Sequence, residues 1–292
     1  MATLKEIRNR ITSVNSTMQI TSAMMMVSSA KLKRAQDAIQ RLRPYSEKMQ
    51  ELLSNVSSAS DSDVGEEYMR TGEVKKVLLV AITSNRGLAG AFNSTVVKAV
   101  KNLLENKYKN VQVDILTVGK KAHDILSKIA PIYKNCSNLW DSLSYDNATE
   151  ITDDIIERFI SGDYDKIELV YNRFKNVVVQ LLQVEQFLPI KLNTETSSQA
   201  NEHSLNTDYI FEPSKEQILK ELIPKTLKVQ FFKAILDSNA AEHGARMSAM
   251  QSATDNATTL KQDLIISYNK ARQASITNEL IEIVSGAQAL EN

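Results

Sequence analysis

Helix-breaking residues are missing from both ends of this chain of 292 residues. No proline precedes Pro44 or follows Pro224; no glycine precedes Gly65, and only Gly244 and Gly286 follow Gly162. A helix interior loses roughly 1 kcal/mol at a glycine and about 3 kcal/mol at a proline. Spans this free of both predict long terminal helices around a breaker-rich middle. Cysteine is nearly absent. With Cys136 alone no internal disulfide can form, which fits a reducing compartment. Aromatics are few, while Ala, Ser and Met abound. Neither charge dominates: 35 basic residues balance 35 acidic ones, so no global field draws the chain to nucleic acid. The longest apolar run, Val77–Ile82, is strand-sized and far short of the ~20 residues a membrane span needs. The start, Met-Ala-Thr-Leu, lacks the apolar region of a signal peptide. The chain is therefore expected to be soluble, or peripheral to a membrane through partners.

Chemistry-bearing patterns are also missing. His123, His203 and His243 are scattered, and none has metal-ligand spacing with another His, Cys or carboxylate. No nucleophile elbow and no G-x-x-x-x-G-K-[ST] loop occurs. Asp153–Asp154 and Glu66–Glu67 are sequence neighbours and do not share a helix face. The expectation is no catalytic set, no metal and no cofactor. One loop, Thr83–Ala91, follows a buried strand and precedes a helix, where free N–H groups gather and phosphates bind. Its glycines, Gly87 and Gly90, do not have G-x-G-x-x-G spacing, and a tight strand–helix connection explains them as well.

What is present is periodicity. Leu4, Ile7, Ile11, Val14 and Met18 follow a 3-4 alternation, with Thr3 and Glu6 in capping-box spacing, and a second apolar row joins at Ile20, Met24 and Val27. Residues 1–57 are read as an N-terminal coiled-coil helix, in which Pro44 marks a kink or a change of environment. Its first 50 residues carry nine basic side chains, among them Arg8, Arg10, Arg41 and Arg43, against Glu6, Asp37 and Glu47. Such a face suits an acidic partner, phosphates or a membrane surface, and equally well a solvated exterior. Residues 58–75 read as an acidic linker. Residues 76–190 read as an α/β domain with strands at 76–83, 111–118, around 132, 166–174 and 177–188, and helices at 91–108, 120–129 and 149–161. A polar loop, 191–213, ends in a short extended piece at Asp208–Phe211. Residues 214–292 form a C-terminal coiled-coil helix whose seam is read as Met250, Ala253, Ala257, Leu260, Leu264, Ser267, Ala271 and Ala274. The fold class is therefore α/β: a long antiparallel coiled coil of N- and C-terminal helices with an inserted Rossmann-like mixed α/β domain. From these patterns alone, a nucleotide-binding α/β enzyme and a coiled-coil adaptor both remain open. Measurable nucleotide binding would favour the first, and tolerance to change at Arg272–Thr277 the second.

Longer stretches carry a resemblance. Glu242-His-Gly-Ala-Arg-Met-Ser-Ala-Met-Gln-Ser-Ala-Thr-Asp-Asn-Ala257 is similar to the signature of the gamma subunits of F-type ATP synthases. So is Tyr268-Asn-Lys-Ala-Arg-Gln-Ala-Ser-Ile-Thr-Asn-Glu-Leu-Ile-Glu-Ile-Val-Ser-Gly-Ala287. Ile7-Arg-Asn-Arg-Ile11 and Ile20-Thr-Ser-Ala-Met-Met-Met-Val27 match the family's first helix. Thr83–Asn93 resembles its Ser-Asp-Arg-Gly-Leu-Cys-Gly-Gly-Phe-Asn motif. The resemblance runs the length of the chain in order. It implies a non-catalytic rotor shaft, one copy per complex, in the central stalk of an ATP-synthesising, proton-translocating enzyme. The implied partners are three alpha and three beta subunits around the coil, and the epsilon subunit and membrane c-ring at the foot. By the same resemblance Arg272, Gln273, Thr277, Arg8, Arg10 and Arg86 meet beta subunits. Ile281, Ile283, Val284 and Ala287 sit in a hydrophobic bearing. Arg41, Arg43 and Tyr45 belong to the foot, as does the loop around 195–212. The sequence departs from the family pattern at Asn85, Ala89 and Ala91, and at Gln19, Ser22 and Met25, where ionic contacts give way to smaller or apolar side chains. A lone Cys136 leaves no thiol-regulated insertion. A chain starting at Met1 implies a peripheral protein on the cytoplasmic side of a bacterial inner membrane, with a mature organellar form as the alternative.

Overall fold

A computed structural model describes residues 3–58, 66–70, 72–190, 212 and 214–291. Most of the expected 58–75 linker and 191–213 loop, including Asp208–Phe211, lies outside the described residues. The chain divides into two compact units, Met1–Ser29 with Arg246–Asn292, and Ala30–Ala245.

In the first unit, helix α1 (Leu4–Ser58) begins with a reciprocal cap. Thr3 N donates to Glu6 Oε2 at 2.9 Å and Glu6 N to Thr3 Oγ1 at 3.3 Å. Its partner here is the last part of helix α6 (Lys215–Glu291). The cross-helix hydrogen bonds pair Arg8 with Tyr268, Asn15 with Lys261, Met18 with Thr258 and Thr21 with Thr254. Numbers rise on one helix as they fall on the other, so the two run antiparallel. On α1 Leu4, Ile7, Ile11, Val14, Met18, Thr21, Met25 and Ser28 form an unbroken 3-4 series of shielded positions, with Asn15, Ser22 and Met24 half-buried beside it. Ile20 and Val27, from the second apolar row, are exposed.

The expected seam on α6 needs correction. It holds at Met250, Ala253, Ala257, Leu264 and Ala271, but Leu260 is 50% exposed, and Ser267 and Ala274 are exposed too. Lys261, Tyr268 and Ser275 are shielded in their place, so the row beyond Ala257 runs Lys261, Leu264, Tyr268, Ala271 and Ser275. Hydrophobicity misled because polar-tipped residues occupy the seam. Lys261 and Tyr268 cover the partner helix with their apolar bodies and place their ends on Asn15 and Arg8.

The second unit is built on a five-stranded sheet in the order β3-β2-β1-β4-β5. The strands are β1 (Lys76–Ile82), β2 (Gln112–Val118), β3 (Ile132–Asn135), β4 (Lys166–Phe174) and β5 (Gln180–Leu188). The first four are mutually parallel and β5 is antiparallel to β4. Central β1 is buried on both faces from Val77 onward, as its continuous apolar run requires. One face packs on α3 (Phe92–Asn102) and α4 (Lys120–Leu126), through Val96, Val97, Val100, Ala122 and Leu126. The other meets α5 (Tyr145–Ile160), Leu53 and Val56 of α1, and Leu219, Ile223, Leu227, Phe231 and Ile235 of α6. The short α2 (Glu66–Met69) precedes β1. Local chemistry moves several expected boundaries. The Ser144 hydroxyl accepts from Asn147 N at 3.2 Å and starts α5 four residues before the expected 149. A π turn at Leu103–Lys107 ends α3, and Asn176 Oδ1 accepts from Val178 N and Val179 N to make a five-residue hairpin turn.

Candidate functional sites

In this sheet the strand order reverses between β1 and β4, the place where doubly wound folds receive ligands. The Thr83–Ala91 loop stands at that point, and its framework is a polar lattice. Ser84 N donates to Asn93 Oδ1 at 3.0 Å, and Ser84 Oγ to the Arg86 carbonyl at 2.6 Å. Asn85 bridges outward, donating to Ser137 O and accepting from Lys120 N, each at 3.0 Å. The crevice beneath is filled by the protein itself. Ala89 and Phe92 pack against Ala241 and Ala245 of α6, with Phe174 alongside. The α6 backbone comes so close that a Cβ on Gly244 would lie 3.2 Å from the Phe174 ring and 3.6 Å from Val177 Cα. Asn172 seals the floor by donating to the Phe92 carbonyl at 2.8 Å. This packing works against the nucleotide-enzyme reading. Among the described residues no group of three or more His, Cys, Asp and Glu side chains could hold a metal ion.

The coil end gathers several of the predicted contact residues. The Arg8 guanidinium donates to Tyr268 Oη at 2.8 Å and lies over that ring, 5.7 Å from its centroid. Arg10, Arg272, Gln273 and Thr277 are exposed. Continuing the antiparallel register sets Leu4 opposite residue 272. No α1 residue lies opposite α6 beyond Ser275, the last shielded position. From there α6 carries Ile276, Leu280, Ile281, Ile283 and Val284, each 48–67% exposed, with Ala287 exposed beyond them. Arg41, Arg43 and Tyr45 are exposed on α1 in the other unit, one turn around Pro44, which stays within the helix. Arg86 is exposed on the switch-point loop. The structure thus brings Arg8, Arg10, Arg272, Gln273 and Thr277 to one end of the coil. Arg41, Arg43, Tyr45 and Arg86 belong to the other compact unit.

Two buried carboxylates went unnoticed in the sequence, because both sit in apolar patterns. Glu168, on β4, is 2% exposed and forms ion pairs with Lys107 Nζ at 2.6 Å and Lys166 Nζ at 3.0 Å. Burial alone would raise its pKa, but Lys107, Lys166 and Tyr108 together hold it below the ordinary glutamate value. Its second oxygen and the Tyr108 hydroxyl lie near each other without a well-formed hydrogen bond. Asp237, on α6, is 1% exposed, and Oδ1 has no hydrogen-bond partner. Burial pushes its carboxyl up, against the pull of Lys233, Arg173 and Arg43.

An antiparallel coil that runs on into a single helix with an apolar side, carried by the same chain as an α/β body with a filled crevice, defines a coiled-coil assembly subunit. The matches narrow that class. The chain belongs to the ATP synthase gamma-chain family: the family model described as ATP synthase matches residues 3–290. It is 58% identical to the ATP synthase gamma chain of Flavobacterium johnsoniae and 58% identical to that of Christiangramia forsetii, over 99% of each chain in both cases. It is 41% identical to the gamma chain of a Geobacter species over the whole of both. The fold resembles chains in cryo-EM structures of the Euglena gracilis mitochondrial ATP synthase. For the OSCP/F1/c-ring structure in rotational state 3 the TM-score is 0.68 at 20% identity, covering 98% of this chain and 94% of that one. For the rotor in rotational state 1 it is 0.64 at 21% identity, covering 94% and 98%.

Proposed function

We propose that this chain is the rotor shaft of the central stalk of an F-type ATP synthase, coupling ion flow through a membrane c-ring to ATP synthesis and hydrolysis in an alpha/beta hexamer, without bond chemistry of its own. One observation carries the reading. The last turns of α6, from Ile276 onward, have no α1 residue opposite them and present large aliphatic side chains to solvent. Residues 276–291 extend about 23 Å at roughly 1.5 Å per residue. Fully burying each large aliphatic side chain is worth about 1.5–3 kcal/mol, so a sleeve of other subunits is the economical state for this helix. Ile281, Ile283, Val284 and Ala287 are the bearing surface. Arg272, Gln273, Thr277 and Arg10 reach beta subunits, with Arg8 partly committed to Tyr268. Arg86 makes a further beta contact, and Arg41, Arg43 and Tyr45 meet the epsilon subunit and c-ring. Two unlike helices show three equivalent sites three different faces, which is the differential interaction that rotary coupling needs. No described helix is long and apolar enough to cross a membrane, consistent with a peripheral position on the cytoplasmic side of a bacterial inner membrane.

The test is reconstitution. The tagged chain is mixed with alpha and beta subunits, and ATPase activity is followed in the purified assembly. One copy per three alpha–beta pairs with chain-dependent steady turnover supports the reading, and failure to assemble refutes it. Arg272→Ala with Gln273→Ala is expected to weaken assembly or ATP-driven proton pumping. Unchanged pumping would remove those residues from the contact.

A further inference from the structure

Helix α6 is fixed to the β4–β5 hairpin at two places. At one, Gln230 Nε2 donates to Glu185 Oε1 at 2.7 Å, while Glu185 Oε2 accepts from Tyr171 Oη at 2.8 Å. At the other, Gly244 brings the helix backbone against Phe174 and Val177. Asp237 stands midway, seven residues from each. A helix returns to the same face about every two turns, so all three lie on one stripe. Asp237 is 1% exposed. Neither its Oδ1 nor the Oγ of the fully buried Ser238 beside it has a hydrogen-bond partner among the described residues. Packed polar atoms are rarely left so. Charges face the carboxylate from each element packed around it. Lys233 lies one turn back on α6, Arg173 on β4, Arg43 on α1 and Glu185 on β5. None of the three cations forms an ion pair among the described residues, and Arg43 and Arg173 are exposed. Glu185 is already held by Tyr171 and Gln230, and Tyr171 stays a neutral donor because burial and Glu185 push its hydroxyl up. An unmatched buried acid thus faces unmatched cations across a joint between helix and sheet.

We propose that Asp237 is a proton-gated latch on this joint. With its proton on, α6 lies against the hairpin and Arg173 stays in solvent. With its proton lost to water, the carboxylate draws the Arg173 guanidinium inward and ties the helix to the sheet. Arg173 is the partner because strand alternation puts it on the face of Tyr171, two residues along, and Tyr171 belongs to the core that holds Phe231 and Ile235 of α6. Turning one long, exposed side chain makes the pair. Lys233 shares a helix with Asp237, so a pair there would tie nothing, and Arg43 comes from α1, away from the hairpin. The pair offsets only part of the burial cost. Burial raises the Asp237 carboxyl above the ordinary aspartate value, against the pull of Lys233, Arg173 and Arg43. The latch therefore engages as pH rises through a midpoint above 3.8 and releases as pH falls back through it. It is a property of the chain alone and does not depend on the shaft reading.

The full-length chain, labelled with carbon-13 at its aspartate carboxyls, provides the test, and Asp237→Asn identifies the signal. Asp237 is expected to titrate above the ordinary aspartate value. Arg173→Gln should raise its midpoint by about one pH unit, a roughly tenfold tighter hold on the proton, and Arg173→Lys should restore most of that shift. Amide exchange at Leu236–Ala241, corrected for its intrinsic pH dependence, should slow as pH rises through the midpoint in the wild type. Arg173→Gln and Asp237→Asn should show no such step. Because Arg173 is exposed, its variants should melt like the wild type below the midpoint, where the latch is open. An unmoved midpoint in Arg173→Gln would overturn the latch. So would a larger shift in Arg43→Gln or Lys233→Gln, or wild-type amide protection without a step. Failure of the chain to assemble with alpha and beta subunits would overturn the shaft reading and leave the latch standing.

Discussion

Gly119→Ala is the substitution this fold should tolerate least. Gly119 joins β2 to α4 at φ 128° and ψ 137°, a conformation that costs a side-chain-bearing residue about 1–3 kcal/mol. Sterics add to this. A Cβ would stand 2.6 Å from the Thr83 carbonyl carbon and 2.7 Å from Thr83 Oγ1, with the carbonyl oxygen nearer still. Thr83 is fully buried just past the end of β1 and two of those atoms are backbone, so the clash cannot be relieved by turning a flexible side chain. Moving Thr83 strains two hydrogen bonds, Thr83 N to Val118 O at 2.8 Å and Ala122 N to Thr83 Oγ1 at 3.0 Å. Each contributes about 0.5–1.5 kcal/mol. Together the strain and the bonds come to roughly 2–6 kcal/mol, a large share of the 5–15 kcal/mol typical of a domain. At about 2–4 °C per kcal/mol for a unit of this size, melting should fall by roughly 4–24 °C. Calorimetry of the purified chain measures it, and hydrogen exchange at the Ala122 amide locates it. Gly72→Ala, where a Cβ meets nothing within 4 Å, is the control. If Gly119→Ala melts within about 2 °C of wild type, the steric argument is wrong.

The remaining predictions concern polar groups in packed places. Thr21 and Thr254 share a hydroxyl contact at 2.8 Å inside the coil, and each also reaches a carbonyl of its own helix, Met18 O at 3.1 Å and Met250 O at 2.9 Å. Each hydroxyl has one proton, so the shorter backbone bond assigns the order Thr21 to Thr254 to Met250. Thr21→Val should therefore cost under about 1 kcal/mol, since it takes away one donor and leaves no buried donor orphaned. The double Thr→Val variant should be near neutral in a double-mutant cycle, and a loss several times larger would refute the proton order. Glu168 has its pKa lowered in the folded chain, so its stabilising share is present above the ordinary glutamate value of 4.5 and is lost as pH falls through the lower folded value. Glu168→Gln should flatten that acid limb of the melting curve. Asp237 has the opposite sign. Its raised pKa costs stability at neutral pH, so Asp237→Asn should raise the melting temperature at pH 7, and the gain should shrink as pH falls and the wild-type carboxyl takes up its proton.

Much of the fold was legible because it depends on local or strictly periodic signals. The Thr3–Glu6 cap, the apolar run of β1 and the 3-4 series beginning at Leu4 each report their own environment. What escaped depends on neighbours distant in sequence. The seam slips from Leu260 to Lys261 because the facing helix offers Asn15 to a lysine, and no one-helix pattern contains that fact. Glu168 sits within the otherwise apolar stretch Ile167–Tyr171, and it is admitted by lysines at 107 and 166 that converge on it in the folded chain. The early start of α5 was readable: Ser144 followed by Asp146 is a cap with an acid in the first turn. The contact roles of Arg272, Gln273 and Thr277 have a different standing. The fold explains their exposure, at an end where α1 stops, and the resemblance alone named their contacts.

The filled switch point explains how a nucleotide-type sheet can serve a mechanical part. In a ligand-binding relative of this architecture the crevice between β1 and β4 must stay open, and the loop after β1 must turn its N–H groups into it. Here Ala241, Gly244 and Ala245 make one side of α6 nearly bare, so the helix backbone settles against Phe174, Ala89 and Phe92. The loop after β1 is held at its base by the hydrogen bond from Ser84 N to Asn93 Oδ1. It keeps the tight connection to α3 and presents Arg86 and Leu88 to solvent instead. The small residues of α6 therefore do two things in one contact: they fill the switch point and they hold the sheet and its loop against the helix. A fold-level analogy would have predicted a bound nucleotide, whereas the close packing of Ala241, Gly244 and Ala245 fills that place with the chain's own helix.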